Sequence, residues 1–132
     1  MAGIKTGRLI GRIGELLAVH KLLEIEYDNV FQDCGENNDV DLIGLKNKNI
    51  DYIQVKTSRH SKTRKWGGCT LVNSKSQKQK VINDKSLFNK LLLVVLEKDF
   101  KASFYLIPQN VIKGLHSIAI RDKKSKWNKY KI

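Results

Sequence analysis

The sequence predicts an α/β fold in a single domain spanning residues 1–132, a mixed β-sheet flanked by helices. Three observations carry this. The chain opens with helical periodicity, continues in short strand-like runs joined by turn-rich tetrapeptides, and later holds a continuous apolar run at 91–96. A length of 132 residues fits one compact core.

The first element is a helix over roughly 6–24. Ile13, Leu16, Leu17 and His20 recur at i, i+3, i+4 and i+7, which reads as the core-facing stripe. Thr6 suits the N-cap. Arg8, Arg12 and Glu15 fall on a neighbouring face. Gly11 and Gly14 cost helix stability, so they imply a close approach by another segment.

Three strands follow, at 29–33, 39–45 and 50–57, joined through the turn-rich segments 35–38 and 46–49. A polar stretch, 58–80, holds one small apolar island at 69–72. Residues 81–90 read as a short helix. The run 91–96 reads as a buried strand with 102–107 as its hairpin partner. Pro108 opens a short helix to 115, and 117–120 forms a last strand. Beyond it lies a basic tail with Lys123, Lys124, Lys126, Lys129 and Lys131. Trp127 and Tyr130 either dock that tail or leave it free.

Composition narrows the function classes. The longest apolar run is far short of the ~20 residues that span a bilayer. The N-terminus, with Lys5, Arg8 and Arg12 among glycines, lacks the apolar segment of a signal peptide. An intracellular protein with no membrane partner is expected, in cytoplasm or nucleoid, whether its gene is cellular, viral or mobile. Cys34 and Cys69 read as plain thiols. His20, His60 and His116 form no ligand pair, which excludes an ordinary zinc site.

The formal charge of +12 points to a polyanionic partner. Its distribution sharpens the point: residues 1–55 carry a net −3 and residues 56–132 a net +15. An acidic front half and a basic back half suit a cation site joined to a phosphate-gripping surface.

The chemistry centres on two strands. With period two, Ile53 and Val55 face one side of the third strand while Gln54 and Lys56 face the other. In the preceding strand Asp39 and Asp41 share a face, with Val40 and Leu42 opposite. Pairing of the two strands brings Asp41 to the face of Gln54 and Lys56, and Glu15 on the first helix lies over it. Asp39 itself reads as a turn or surface carboxylate. Two carboxylates, an amide oxygen and an ammonium then converge. Oxygen donors of this kind suit Mg²⁺, with Mn²⁺ as a substitute. Such a metal would acidify a bound water and stabilise charge on a phosphodiester, with Lys56 orienting the water or holding the phosphate. The plainer alternative is that Glu15 pairs with Arg8 or Arg12 on a solvated helix face, and that Gln54 and Lys56 are ordinary edge-strand residues.

These residues resemble a known family. Gly11-Arg12-Ile13-Gly14-Glu15, then Val40-Asp41-Leu42-Ile43, then Ile53-Gln54-Val55-Lys56 is similar to the PD-(D/E)XK nuclease superfamily in a Gln-x-Lys form. The layout of residues 104–108 and the helix after them resembles archaeal-type Holliday junction resolvases, and the motif resembles group I intron-associated PD-(D/E)XK endonucleases. The resemblance implies a restriction-endonuclease-like core and Mg²⁺-dependent DNA cleavage. Glu15, Asp41, Gln54 and Lys56 would be catalytic, with Asp41, Gln54, Val55 and Glu15 as metal ligands. It also implies a homodimer or higher homo-oligomer. Val40 stands where the motif name has proline, and Gln54 replaces its acidic residue, removing one negative charge from the metal site.

Between residues 52 and 83 there are eight Lys or Arg and no acid. Arg8, Arg12, Arg59, Lys62, Arg64 and Lys65 are the candidate phosphate contacts. Trp66, before Gly67-Gly68, is a candidate base-stacking residue or else a core cover. A chain this short leaves no room for a recognition domain, which favours branched DNA read by shape. Duplex DNA cut by a homing or restriction-type enzyme is the alternative, and a catalytically inactive DNA-binding module a third reading.

Overall fold

The computed structural model describes residues 3–32, 39–59, 67–70, 87–97, 101–115, 117–120 and 125–132, with the backbone alone at 3–6 and 67–70. Helix α1 (Gly3–Glu24) is followed by β1 (Asn29–Phe31), β2 (Leu42–Lys46), β3 (Asn49–Arg59), β4 (Gly67–Thr70), β5 (Lys90–Leu96) and β6 (Ala102–Pro108). Helix α2 (Gln109–Ile112), β7 (Ser117–Ile120) and a 3-10 turn (Lys126–Tyr130) complete it. Five strands form a mixed sheet in the order β1-β2-β3-β5-β6, and β4 pairs with β7 in a separate two-stranded sheet. This is the α/β class that the sequence predicts.

The β1-β2-β3 meander depends on tight reversals. Asn47 and Lys48 between β2 and β3 both have positive φ, 51° and 68°, the conformation of a two-residue hairpin whose twist matches its strands. The end of α1 uses the same device. Glu26 has φ 75°, and the Tyr27 amide donates to the Leu22 carbonyl at 3.0 Å, closing the last turn. That reversal buries Tyr27, whose hydroxyl donates to Asp51 at 2.7 Å. Lys90 reaches the same Asp51 oxygen at 2.9 Å, tying the start of β5 to β3. The Asp51 carboxyl is held below its ordinary range: burial opposes this, and donation from Lys90, Tyr27 and Asn89 outweighs it.

β5 pairs in parallel with β3 and antiparallel with β6. Every residue from Leu91 to Leu96 is buried, as an unbroken apolar strand covered on both faces should be. One face packs against Ala18 and Leu22 of α1, together with Leu42, Ile53, Leu92 and Val94. The other packs Leu91, Leu93 and Val95 against Ile112, Ile118 and Trp127. The tail is docked: Trp127 is buried, and the Ile132 amide donates to the Phe104 carbonyl at 3.0 Å.

Several expectations change. The core stripe of α1 is Gly14, Ala18 and Leu22, not Ile13-Leu16-Leu17-His20. Ile13 and Leu17 only flank it, Leu16 is 48% exposed, and the His20 side chain is 78% exposed. The helix is apolar on two sides, and small residues face the sheet because they permit close docking. Thr6 lies inside the helix rather than capping it. Residues 87–89 are not helical, since Asn89 instead clamps β3, accepting from the Tyr52 amide at 2.6 Å and donating its own to the Tyr52 carbonyl at 2.8 Å. The remainder of the expected helix, 81–86, lies outside the described residues. Among the described residues no helix is long and apolar enough to cross a membrane.

Candidate active site

Pairing of β2 with β3 ends at Leu42 and Ile53. One residue earlier, the Asp41 amide still donates to the Ile53 carbonyl at 2.8 Å. The Asp41 side chain then takes the place of the next strand residue, and its Oδ2 accepts from the Val55 amide at 2.7 Å. Val40 turns into the cluster on one face of the sheet, while Leu42 packs in the cluster on the other. The expected alternation across 39–45 therefore breaks at Asp41, because the carboxylate satisfies a β3 amide that β2 no longer reaches. The outcome is a notch at the edge of β3.

The residues around this notch arrive from both sides of the sheet. The register of β3 places Gln54, Lys56 and Ser58 beside Leu91, Leu93 and Val95, on the face away from α1. Glu15 comes from the α1 face, where the helix packs over Ile53 and Val55. The expectation that all four groups share one face is corrected: Gln54 and Lys56 lie on the face away from α1, and Glu15 comes from the α1 side. Glu15, Lys56 and Asp39 all lie close enough to act on the charge of Asp41. Gln54 is half-buried and adjoins Val55, whose amide holds Asp41.

Burial is the largest influence on Asp41 and raises its carboxyl above the ordinary value; Glu15 and Asp39 raise it further, while the Val55 amide and Lys56 pull it down. Lys56 and Arg12 already set positive charge against Asp41 and Glu15, and the Arg12–Glu15 pair is the one that the plainer alternative expects. The oxygens of Asp41, Glu15, Gln54 and the Val55 carbonyl are of the donor type that Mg²⁺ takes, so they are the groups that would hold a divalent cation here. Among the described residues no three His, Cys, Asp or Glu side chains form a metal-holding group. A site here would depend on the amide and backbone oxygens as well as the two carboxylates.

Arg12 lies 3.6 Å from Glu15, with side chains 54% and 34% exposed. A loose, exposed i,i+3 pair adds little stability, but it holds a cation beside the notch. Arg8 is exposed on α1, and Arg59 is exposed at the end of β3, three residues past Lys56. Lys62, Arg64, Lys65 and Trp66 lie outside the described residues. One feature escaped the sequence reading. Asp39 accepts from the Leu87 amide at 3.2 Å, pinning the segment before β5 near the notch. The close approach expected at Gly14 is made by Thr57, whose hydroxyl an added Cβ would overlap, whereas Gly11 has nothing within 4 Å among the described residues.

The mixed sheet with α1 on one face is consistent with a restriction-endonuclease-like core. The fold is shared with a bacterial homing endonuclease, I-Ssp6803I, at a TM-score of 0.68 and 20% identity, covering 94% of this chain and 87% of that one. The crystal structure of MepB is a more distant likeness, at a TM-score of 0.52 and 12% identity over 89% of this chain and 94% of that one. No protein-family model matches the sequence. No curated protein matches it either.

Proposed function

We propose that the chain is a divalent-metal-dependent DNA endonuclease acting at the β3 notch. The observation that supports this most is Asp41, clamped by the Val55 amide while Glu15 and Lys56 act on its charge. Asp41, Glu15, Gln54 and the Val55 carbonyl would hold Mg²⁺, or Mn²⁺ in its place. Bound there, the metal supplies an acidified water and neutralises charge on the phosphodiester. Lys56 orients the attacking water or grips the scissile phosphate, adding fixed positive charge where charge develops. Arg8, Arg12, Arg59, Lys62, Arg64 and Lys65 hold flanking phosphates, with Trp66 stacking on a base. The whole chain works as one domain.

Gln54 is a neutral ligand in this account and attracts the cation less than a carboxylate. Gln54→Glu should therefore lower the Mg²⁺ concentration giving half-maximal cleavage. An unchanged metal titration would remove Gln54 from the coordination set.

For the substrate, a site-specific duplex reading is preferred to a junction. A short chain argues for a junction only if an enzyme of this size has no room to read sequence. I-Ssp6803I, a homing endonuclease, is matched over 87% of its own chain, so a homing enzyme can be built at nearly this size. Cleavage of a randomised duplex library, run beside four-way junctions of unrelated sequence, decides the point. Enrichment of one linear target supports the homing reading; cutting of every junction and no preferred duplex restores the resolvase.

Homo-oligomerisation is part of the proposal. Leu9, Leu16 and Leu23 are 61%, 48% and 48% exposed and recur every seven residues along the outer side of α1. Helices from two copies packed on this side would cover the leucines. Sedimentation should find a dimer that Leu16→Glu dissociates, and a monomeric wild type would exclude this surface.

A further inference from the structure

We propose that Gly14 and Thr57 form a positioning pair that sets how far Glu15 reaches into the notch. This rests on the nuclease reading above. A Cβ built on Gly14 would lie 2.9 Å from both Cβ and Cγ2 of Thr57 and would overlap its Oγ1. By contrast, Gly11, one turn earlier, has nothing within 4 Å among the described residues. The close approach of α1 to β3 is therefore localised at Gly14, which is buried.

Both members of this contact are chain neighbours of groups assigned to the chemistry. Glu15 follows Gly14, and Lys56 precedes Thr57. Any side chain at position 14 must lift the helix from the strand or push Thr57 aside. Either movement separates Glu15 from Asp41 and Lys56, which arrive on a different element. Helix docking elsewhere depends on Ala18 and Leu22, both fully buried, so a local lift at position 14 need not undo the fold. Misplacement of about 1 Å in such a constellation can cost ~10²-fold in rate.

Gly44 supplies a control. A Cβ there would come within 2.8 Å of the Tyr27 ring, a milder overlap that faces a different neighbour. Gly44→Ala should lose stability while keeping Mn²⁺ affinity and single-turnover rate per folded molecule near wild type.

The experiment measures Mn²⁺ binding by calorimetry, single-turnover cleavage and thermal unfolding on intact chains. Gly14→Ala should weaken Mn²⁺ binding and slow cleavage by roughly 10²-fold. Gly14→Ala/Thr57→Gly, which returns the missing space, should recover most of both. Wild-type binding and rate in Gly14→Ala, no recovery in the double variant, or an equal loss in Gly44→Ala would each overturn the pair. If Gly14→Ala does not fold, Thr57→Gly loosens the same contact from the strand side, and unchanged Mn²⁺ affinity there overturns it. A wild type that neither binds Mn²⁺ nor cuts DNA fails the nuclease reading itself, and this inference with it.

Discussion

Replacing Asp41 by Asn or Lys56 by Ala is expected to slow single-turnover DNA cleavage by at least ~10²-fold, with binding to the same DNA retained. Asp41 sits where two demands meet. Its Oδ2 completes the β3 edge at the Val55 amide, which fixes its orientation before any ligand arrives. Glu15 and Lys56 both act on its charge; in the proposed reading the first would share a cation with it and the second would hold a phosphate. Asn keeps an oxygen for the Val55 amide but no charge for the metal. The Lys56→Ala variant keeps both carboxylates and removes the fixed positive charge. DNA affinity should survive both changes because it comes mainly from the separate basic side chains. Equal cleavage by wild type and both variants would put the activity elsewhere.

The second large effect concerns stability and reverses sign with metal. Burial, then Glu15 and Asp39, raise the Asp41 carboxyl above its ordinary value of 3.8. A group whose folded value is raised gives stability that is fully present below the unfolded value and is lost as pH rises through the folded one. At neutral pH the metal-free protein therefore carries an ionised Asp41 at a cost. In chelator at pH 7, Asp41→Asn should melt above wild type, and the gap should close as pH falls below 3.8. Adding Mg²⁺ should invert the order. A ligand at a hundred times its Kd stabilises the native state by about 2.7 kcal/mol, available to wild type and not to the variant. A variant no more stable than wild type in chelator, or equally stabilised by Mg²⁺, would contradict the site.

Where local pattern and tertiary contact agree, the chain is readable from its residues. The run from Leu91 to Leu96 has no polar interruption and is buried throughout; the segment paired with it ends at Pro108, and a helix starts one residue later. Lys46 to Asn49 reads as a turn because Asn tolerates positive φ, which Asn47 adopts. α1 exposes the limit of periodicity. It carries apolar residues on two sides, and spacing cannot say which side meets the sheet. Gly14 and Ala18 decide it through the absence of bulk, a signal that counting apolar residues misses. β4 is likewise invisible locally: Gly67 and Gly68 have low strand preference and pair with β7 through contacts some fifty residues away in sequence.

The notch shows the same division. Asp41, Gln54 and Lys56 can be picked out as polar residues beside apolar strand positions. The expected common face assumed that β2 and β3 stay paired through Asp41. They part at Leu42, because the Asp41 side chain replaces a ladder bond, and no alternation pattern announces such a replacement. Glu15 therefore comes from the opposite side of the sheet from Lys56, and both act on the charge of Asp41 at the edge.

The central claim is that one divalent cation binds at this edge, and iron-mediated self-cleavage of the polypeptide tests it without knowledge of the DNA target. Fe²⁺ loaded in place of Mg²⁺, with ascorbate and peroxide, cuts the backbone beside the metal. The account predicts Mg²⁺-suppressible fragments ending near Asp41 and near residues 54–56, absent from Asp41→Asn. Cuts confined to other segments, or a pattern unchanged by that substitution, would contradict it.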